Sequence, residues 1–157
     1  MKFKKLYPEA HTPTKAYPTD AGYDLKALQD VTVPSLFKLL INNLINSVCF
    51  KETKPIYATK ILTGIALEIP QGMVGLIWDR SSMGTRLLKV FGGVIDEMYT
   101  ADITVCMANF SFFDHTFKAG DKVAQLVLQK VEHEKLEEVA ELSNSDRGDR
   151  GFGSSGQ

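Results

Sequence analysis

The sequence has few of the residues that mark a disulfide-bonded or metal-clustered protein. Cys49 and Cys106 are the only cysteines in 157 residues and form no CxxC pair, which argues against a disulfide framework. His11, His115 and His133 are the only histidines, and they lie too far apart in the chain to have metal-ligand spacing. We therefore expect two free thiols and no histidine-based metal site.

Long hydrophobic runs and an excess of charge are also missing. No apolar stretch is long enough to cross a membrane, and no apolar segment follows the basic start MKFKKLYPEA as it would in a secretory signal. Lys and Arg number 18 against 19 Asp and Glu, so the net charge of -1 gives no long-range attraction to nucleic acid or acidic lipid. We expect a single cytoplasmic domain without membrane or nucleic-acid partners, in which a few arginines could still hold a small phosphorylated ligand.

Short β-favouring runs separated by Gly, Pro and Asp dominate the chain. Frequent turns between short strands favour a sandwich or barrel over a fold with alternating strands and helices. The predicted strands are Lys2–Leu6, Asp30–Val33, Lys60–Glu68, Val74–Trp78, Ile103–Asn109 and Lys122–Val131.

One segment has helical spacing instead. Ser35–Val48 carries apolar residues at positions 36, 40, 41, 44, 45 and 48, and Ser35 follows Pro34 where a helix cap would stand. We predict a short amphipathic helix whose apolar stripe packs on the sheet. A docking surface for a partner protein is the alternative.

The composition changes again from Ser143, where SNSDRGDRGFGSSGQ has Phe152 as its only large apolar residue. Such a segment buries too little surface to order itself, which predicts a disordered tail. Its arginines and its phenylalanine also suit an arm that closes over a phosphorylated ligand with a flat ring.

Three carboxylates stand beside glycines, where turns project side chains. Asp121 is interpreted as a turn former, and Asp24 alone would be one as well. Asp96 follows the apolar pair Val94-Ile95, and we expect burial there to favour its protonation and suit it to act as a base. Arg80, next to Ser81 after a strand, fits ligand contact and a structural ion pair about equally.

Taken together, five segments resemble the five ordered motifs of the trimeric dUTPases. The resemblance runs nearly end to end, except for an insertion at about 35–55 where the family usually has a short turn. The five segments are PTDAGYDL (Pro18–Leu25), DRSSMG (Asp79–Gly84), GGVIDEMYTAD (Gly92–Asp102), GDKVAQL (Gly120–Leu126) and RGDRGFGSSG (Arg147–Gly156).

The resemblance implies hydrolysis of dUTP to dUMP and pyrophosphate. Asp96 would activate the water that attacks the α-phosphorus. Tyr99 would stack on the deoxyribose and exclude a 2′-hydroxyl. Backbone groups of a hairpin from Val90 to Ala101, which contains Gly93, would read the uracil edge and exclude cytosine and a 5-methyl group.

The resemblance also implies residues that hold the triphosphate and Mg²⁺. Asp24 would hold the metal through coordinated water, and the arm would close over the substrate. Ser81 and Gln125 would hydrogen-bond the phosphate chain, and Arg80 and Ser82 would belong to the same substrate pocket. In the arm, Arg147 would clamp the γ-phosphate and Phe152 would lie over the uracil. Gly153, Ser154 and Ser155 would add further substrate contacts.

The implied architecture is an all-β, jelly-roll-like sandwich with one short helix in the insertion. Residues 1–142 would form the β domain and 143–157 a flexible arm. The family builds each site from three chains, which predicts a homotrimer that is inactive as a monomer. A protein partner at 35–55 is conceivable, because inserts there contact regulatory proteins in some phage-type relatives.

Two alternatives stay open. A dCTP deaminase would share the fold, but that chemistry needs a glutamate on the strand after the third motif, where this chain has Cys106. A non-catalytic nucleotide sensor is favoured by the insertion and by Ala101, which stands where the family has glycine and would be strained if a positive φ were required.

Overall fold

The computed structural model describes residues 1–51, 53–144 and 148. The described part of the chain is mostly β-structure, with one helix of 15 residues and one of four. In chain order the elements are β1 Lys2–Lys5, β2 Gly22–Lys26, β3 Val31–Val33, α1 Leu36–Phe50, β4 Thr59–Leu62, β5 Ile65–Glu68, β6 Met73–Trp78, α2 Ser81–Gly84, β7 Leu88–Phe91, β8 Val94–Ile95, β9 Thr104–Asn109, β10 His115–Phe117 and β11 Lys122–Lys130.

The strands form small antiparallel sheets around one apolar core. A four-stranded sheet has the order β2-β11-β6-β8, a three-stranded sheet has the order β4-β9-β7, and β1-β5 and β10-β3 are paired separately. Along β9 every second residue is buried, as expected of a strand with one face on a core. Residues such as Leu126 of the larger sheet and Met107 of the smaller one are fully buried in the same cluster. This arrangement confirms the predicted jelly-roll-like sandwich.

The predicted strands are confirmed with shifts of one or two residues, except that Lys60–Glu68 is two strands. The break falls at Thr63 and Gly64, where Gly64 has φ +70°. The carboxylate of Asp102 accepts hydrogen bonds from the backbone N–H groups of both residues at 3.1–3.2 Å. Strands β2, β7, β8 and β10 and helix α2 were not predicted, because two to five residues are too few for an apolar period to show.

Helix α1 confirms the predicted segment but contradicts its predicted packing. Ser35 caps the helix, with its side-chain oxygen accepting from the Lys38 N–H at 3.4 Å. The helix has no buried residue, and the predicted apolar stripe, except for Leu36, points away from the sheet. Five stripe residues are half or more exposed: Leu40, Ile41, Leu44, Ile45 and Val48.

The partly buried face of α1 is instead lined by Leu36, Leu39, Asn43 and Asn46. The Asn43 side chain donates to the carbonyl of Lys54 at 2.6 Å and accepts from its N–H at 2.9 Å. This two-bond match between an amide side chain and a backbone unit fixes how the helix is rotated. The apolar period therefore predicted the helix correctly and its inward face wrongly.

Two smaller expectations concern the whole chain. Cys49 and Cys106 are both free thiols, which confirms that they form no disulfide. Among the described residues, none of the helices combines the length and the apolar character that a membrane span requires.

Leu87 has a left-handed backbone conformation, with φ +59°. Leu87 is also 57% exposed. A leucine there bears the steric cost of that conformation without much burial in return. We expect Leu87→Gly to raise the free energy of unfolding by about 0.5–1 kcal/mol, after allowance for the more flexible unfolded chain. Urea denaturation at fixed protein concentration would measure this change. Leu62→Gly, in strand β4, is the control and should lower stability.

Candidate functional site

Three of the motif residues come together at one end of the four-stranded sheet. Asp24 on β2 is the register partner of Gln125 on β11, and Gln125 is the partner of Trp78 on β6. The chain then leaves β6 through Asp79 and Arg80 into α2. Segments about 100 residues apart in sequence thus meet in adjacent strands.

Asp24 is a buried carboxylate between two cations. One oxygen accepts from Arg80 Nε at 2.8 Å, and the other lies 2.6 Å from Lys122 Nζ. The Asp24 side chain is only 12% exposed, so both contacts are shielded from much of the solvent. Charge-assisted bonds of this kind fix both cationic groups relative to the sheet. Asp24 is therefore more than the turn former that its sequence context alone suggested.

Gln125 is held by its neighbours on both sides. Its Nε2 donates to the carbonyl oxygen of Asp79 at 2.8 Å. On the β2 side, a Cβ on Gly22 would stand 2.8 Å from Gln125 Oε1, so a larger residue there would shift the Gln125 side chain. The Asp79 carboxylate in turn accepts from Lys89 Nζ and from the Val90 N–H. The amide of Gln125 is thereby oriented at the sheet end beside α2.

A polar pocket of about 370 Å³ opens beside this cluster. Its lining includes the cationic side chains of Arg80, Arg86 and Lys122 together with the hydroxyl of Ser82 and the ring of His115. Burial, and secondarily the nearby charge of Arg86, lower the pKa of His115 below its usual value. Three cations, of which Asp24 holds Arg80 and Lys122, and a hydroxyl outweigh the one carboxylate in the lining, Asp121, and give a pocket suited to a phosphorylated ligand.

The sequence analysis missed Lys122, Arg86 and His115. A shift of register between Lys122 and Ala124 brings Lys122 opposite Lys26, next to Asp24. A β-bulge of this kind has no clear sequence signal. The only sequence signal at Lys122 is its place directly after the Gly120-Asp121 turn.

A second group of predicted residues lies on the segment that follows β7. This segment is not the paired hairpin that was expected, because β7 pairs with β9 and β8 pairs with β6. The chain crosses between the two sheets at Gly93, whose carbonyl accepts from the Ile77 N–H at 2.7 Å. A Cβ at Gly93 would lie 2.4 Å from the Ile77 carbonyl oxygen, so no side chain is tolerated there. Both β7 and β8 are consequently edge strands of their sheets.

Asp96 and Tyr99 are placed by a turn directly after β8. The Tyr99 N–H donates to the Asp96 carbonyl at 3.0 Å, and the Tyr99 hydroxyl donates to the Asp102 carbonyl at 3.0 Å. Tyr99 is 40% exposed, so its ring is available to a ligand. Asp96 itself is exposed in the single chain, which contradicts the burial expected from Val94-Ile95. Only Ile95 of that pair points into the core, and Asp96 falls on the opposite face of the strand.

The two groups are far apart within one chain. Extending the β6–β8 register places Asp96 opposite Val74, four residues along β6 from Trp78. This offset corresponds to about 13 Å along the strand, and Asp24 lies three strands away, about 14 Å across the sheet. Asp96 and Asp24 are therefore separated by about 20 Å.

Two further expectations are resolved nearby. Asp121 accepts from the Lys118 N–H at 2.8 Å and so is the turn former that was predicted. Ala101 is not among the described residues with positive φ, so the backbone strain considered for it is not present.

The remaining predicted residues divide into two sets. Ser81 is exposed at the start of α2, next to the partly buried Ser82. The arm residues Arg147, Phe152, Gly153, Ser154 and Ser155 lie outside the described residues. Within residues 1–51, 53–144 and 148, no group of three His, Cys, Asp or Glu side chains could hold a metal ion without further ligands.

Comparisons with known proteins agree on one family. The family model described as dUTPase matches residues 8–59 and 52–156. A variola virus deoxyuridine 5′-triphosphate nucleotidohydrolase is 33% identical over 156 residues, covering 99% of this chain and 92% of the relative. The enzyme of the same name from Rattus norvegicus is 33% identical over 158 residues, covering 100% of this chain and 67% of the relative.

Solved structures show the same likeness. A mutant of the Staphylococcus bacteriophage 80alpha dUTPase with dUpNHpp has a TM-score of 0.80 at 25% identity, covering 99% of this chain and 98% of that one. A phage phi11 dUTPase mutant from S. aureus, described as coordinating a structural Mg(II) ion, has a TM-score of 0.71 at 22% identity, which shows the fold alone. The sequence matches span almost the whole chain, and the chain belongs to the dUTPase family.

Proposed function

We propose that this protein hydrolyses dUTP to dUMP and pyrophosphate, as its family membership implies. The observation that carries the proposal is the meeting of Asp24, Arg80 and Gln125 at one sheet end beside a cationic pocket. In a cell, the reaction would keep uracil out of DNA and supply dUMP for thymidylate synthesis. We propose that it takes place in the cytoplasm.

The phosphate chain binds at this cationic end of the sheet. Arg80 is fixed by Asp24, so its guanidinium meets the ligand without loss of much rotamer freedom. Ser81, Ser82 and Gln125 supply hydroxyl and amide hydrogen bonds at the start of α2 and along β11. Such pre-positioned groups lower the barrier by holding the triphosphate in line and sharing its charge.

The protein residues fit a Mg²⁺ ion that arrives with the substrate. Mg²⁺ commonly keeps several waters and uses one or two carboxylates together with phosphate oxygens. Asp24, the buried carboxylate at the phosphate end, would hold it through coordinated water, and a cluster of protein ligands is not needed. When bound, the ion supplies charge neutralisation on the leaving pyrophosphate.

The uracil binds between β7 and β8. Both are edge strands, so each has one side without a paired strand, and on β7 the Val90 N–H donates to the Asp79 carboxylate. A flat base with alternating donors and acceptors would hydrogen-bond to backbone groups along these edges. Tyr99 lies just after this gap, where its ring would stack on the deoxyribose and exclude a 2′-hydroxyl.

Asp96 is the general base. It accepts a proton from a water whose oxygen forms a bond to the α-phosphorus, while the bond from that phosphorus to the bridging oxygen breaks. The electron pair leaves with pyrophosphate, and dUMP remains. Asp96 is exposed in the single chain, so the surroundings that tune it come from a neighbouring chain and from the bound substrate.

A homotrimer brings the two groups together. Because Asp96 and Asp24 are about 20 Å apart in one chain, they can serve one substrate only if they come from different chains. Beyond β11, residues 132–144 are exposed, including Leu136, Val139 and Leu142. A neighbouring chain in the trimer would cover these apolar side chains. We propose that residues 1–142 form the β domain and that the arm 143–157 closes over a neighbouring site through Arg147 and Phe152.

The dCTP deaminase alternative lacks its proton-transferring group. Cys106 lies on β9 between Lys60 and Phe91 in the register of the neighbouring strands, and no carboxylate takes its place there. Assays of ammonia release from dCTP and of pyrophosphate release from dUTP distinguish the two functions. Ammonia release alone would overturn the proposal.

Asp96→Asn should reduce the rate of pyrophosphate release from dUTP by at least about 100-fold, because the amide cannot accept the proton. Binding of dUTP, measured by calorimetry with Mg²⁺, should remain. Glu97→Gln is the adjacent control, since its side-chain oxygen can still accept from the Gly72 N–H. Retained turnover in Asp96→Asn would remove Asp96 from the role of base.

Mixed trimers test whether sites are shared. Asp96→Asn and Gln125→Ala chains should each be inactive alone. Random co-refolding of equal amounts should restore about a quarter of the wild-type sites, because each mixed trimer then contains one site that carries neither substitution. Pyrophosphate release measures the recovery. A mixture that stays inactive, although mass spectrometry shows that trimers have mixed, would mean that both groups act within one chain.

A further inference from the structure

Helix α1 exposes an apolar surface of the size that protein interfaces use. From here on, the stripe means the exposed apolar residues of α1: the predicted stripe without Leu36 and with Phe37 added. Its members, which are 43–75% exposed, are Phe37, Leu40, Ile41, Leu44, Ile45 and Val48. Taking roughly 200 Å² for each large apolar side chain in the open, the stripe presents about 700 Å². This area exceeds the roughly 300–600 Å² patches of typical monomers and approaches the roughly 800 Å² that each partner buries in a stable interface.

The stripe is held outward by specific contacts. Besides the Asn43–Lys54 amide match, Lys38 Nζ lies 2.6 Å from the Asp114 carboxylate, and that carboxylate also accepts from the Ser35 N–H at 2.9 Å. Phe37 stacks on Phe112 with 4.5 Å between ring centroids, which continues the apolar surface onto the body. Rotating the stripe inward would break these hydrogen bonds and turn Asn43 and Asn46 out to solvent. The helix is therefore built to present the stripe rather than to bury it in its own chain.

We propose that the stripe binds the stripe of a second copy of this chain, α1 against α1, across a two-fold axis. None of the six stripe residues is charged, so two identical stripes meet without like-charge repulsion. A partner with charged recognition elements would find nothing on the stripe to pair with. The area of the stripe also matches what each half of a stable dimer buries.

The order of side chains fits antiparallel pairing centred on Leu44. Leu40 and Val48 lie four residues to either side of Leu44. In an antiparallel pair, Leu40 of one helix therefore meets Val48 of the other. Leu44 then meets its own copy on the axis. Joining two trimers through three such contacts, each on its own two-fold axis, would give a closed hexamer. The pairing concerns a surface on the insertion and goes beyond the proposed hydrolysis.

The association state tests the pairing. We expect the full-length wild-type protein to have twice the molar mass of Leu44→Glu in sedimentation or light scattering at micromolar concentration. Asn42→Glu adds the same charge to the same helix outside the stripe and should keep the wild-type mass. The rate of dUTP hydrolysis should be equal in all three proteins, so failure of the pairing is distinguishable from failure of the proposed function.

Cross-linking tests the geometry. In a Cys49→Ser background, Leu44→Cys should form a disulfide between chains under mild oxidation, whereas Asn42→Cys should not. A wild-type protein with the same mass as Leu44→Glu at all concentrations would overturn the proposal. So would a Leu44→Glu protein that loses the trimer itself, since the stripe would then lie inside it. Binding of the wild type to neutral lipid vesicles without self-association would assign the stripe to a lipid surface instead.

Discussion

The carboxylate of Asp24, held between Arg80 and Lys122, is the interaction on which the candidate site depends. The Asp24 carboxylate, on β2, holds both Arg80, which precedes α2, and Lys122, which begins β11. Three stretches that are distant in sequence therefore meet at one end of the sheet. Gln125 adds a second tie through the Asp79 carbonyl. Because these groups already satisfy one another, they are ordered before a ligand arrives, and little side-chain entropy is lost when phosphate binds.

The sandwich architecture also supports the proposal that one chain alone does not complete a site. Gly93 carries the chain from one sheet to the other at a place where no Cβ fits, which leaves β7 and β8 as separate edges. The same crossing puts Asp96 and Tyr99 at the opposite end of the sheet from Asp24. If the base binds near β7 and β8 and the phosphates near Asp24, as proposed, the two regions belong to one site only when chains are related by rotational symmetry. The proposed trimer would then follow from where the crossover falls.

The sequence predicted the class of fold and most long strands, because β-branched runs and Gly–Pro–Asp turns carry that information locally. Motifs considered together also pointed to Asp24, Arg80 and Gln125, which the structure brings to one sheet end and whose roles stay predictions. The exposure of Asp96 could not be predicted, since a strand of two residues gives no alternation to follow. Lys122 was missed because a register shift in the pairing of β11 with β2 brings it to Asp24.

Helix α1 shows why an apolar period alone does not define the buried face. Amphipathic patterning predicts that a stripe lies against something apolar, and within one chain the default choice is the core. In α1 the inward face is selected by directional bonds instead, with Asn43 matching a backbone unit and Ser35 capping the helix start. Hydrogen bonds have a required geometry and hydrophobic burial has none. Where the two compete, the polar residues set the rotation of the helix, and the apolar stripe is left for another molecule.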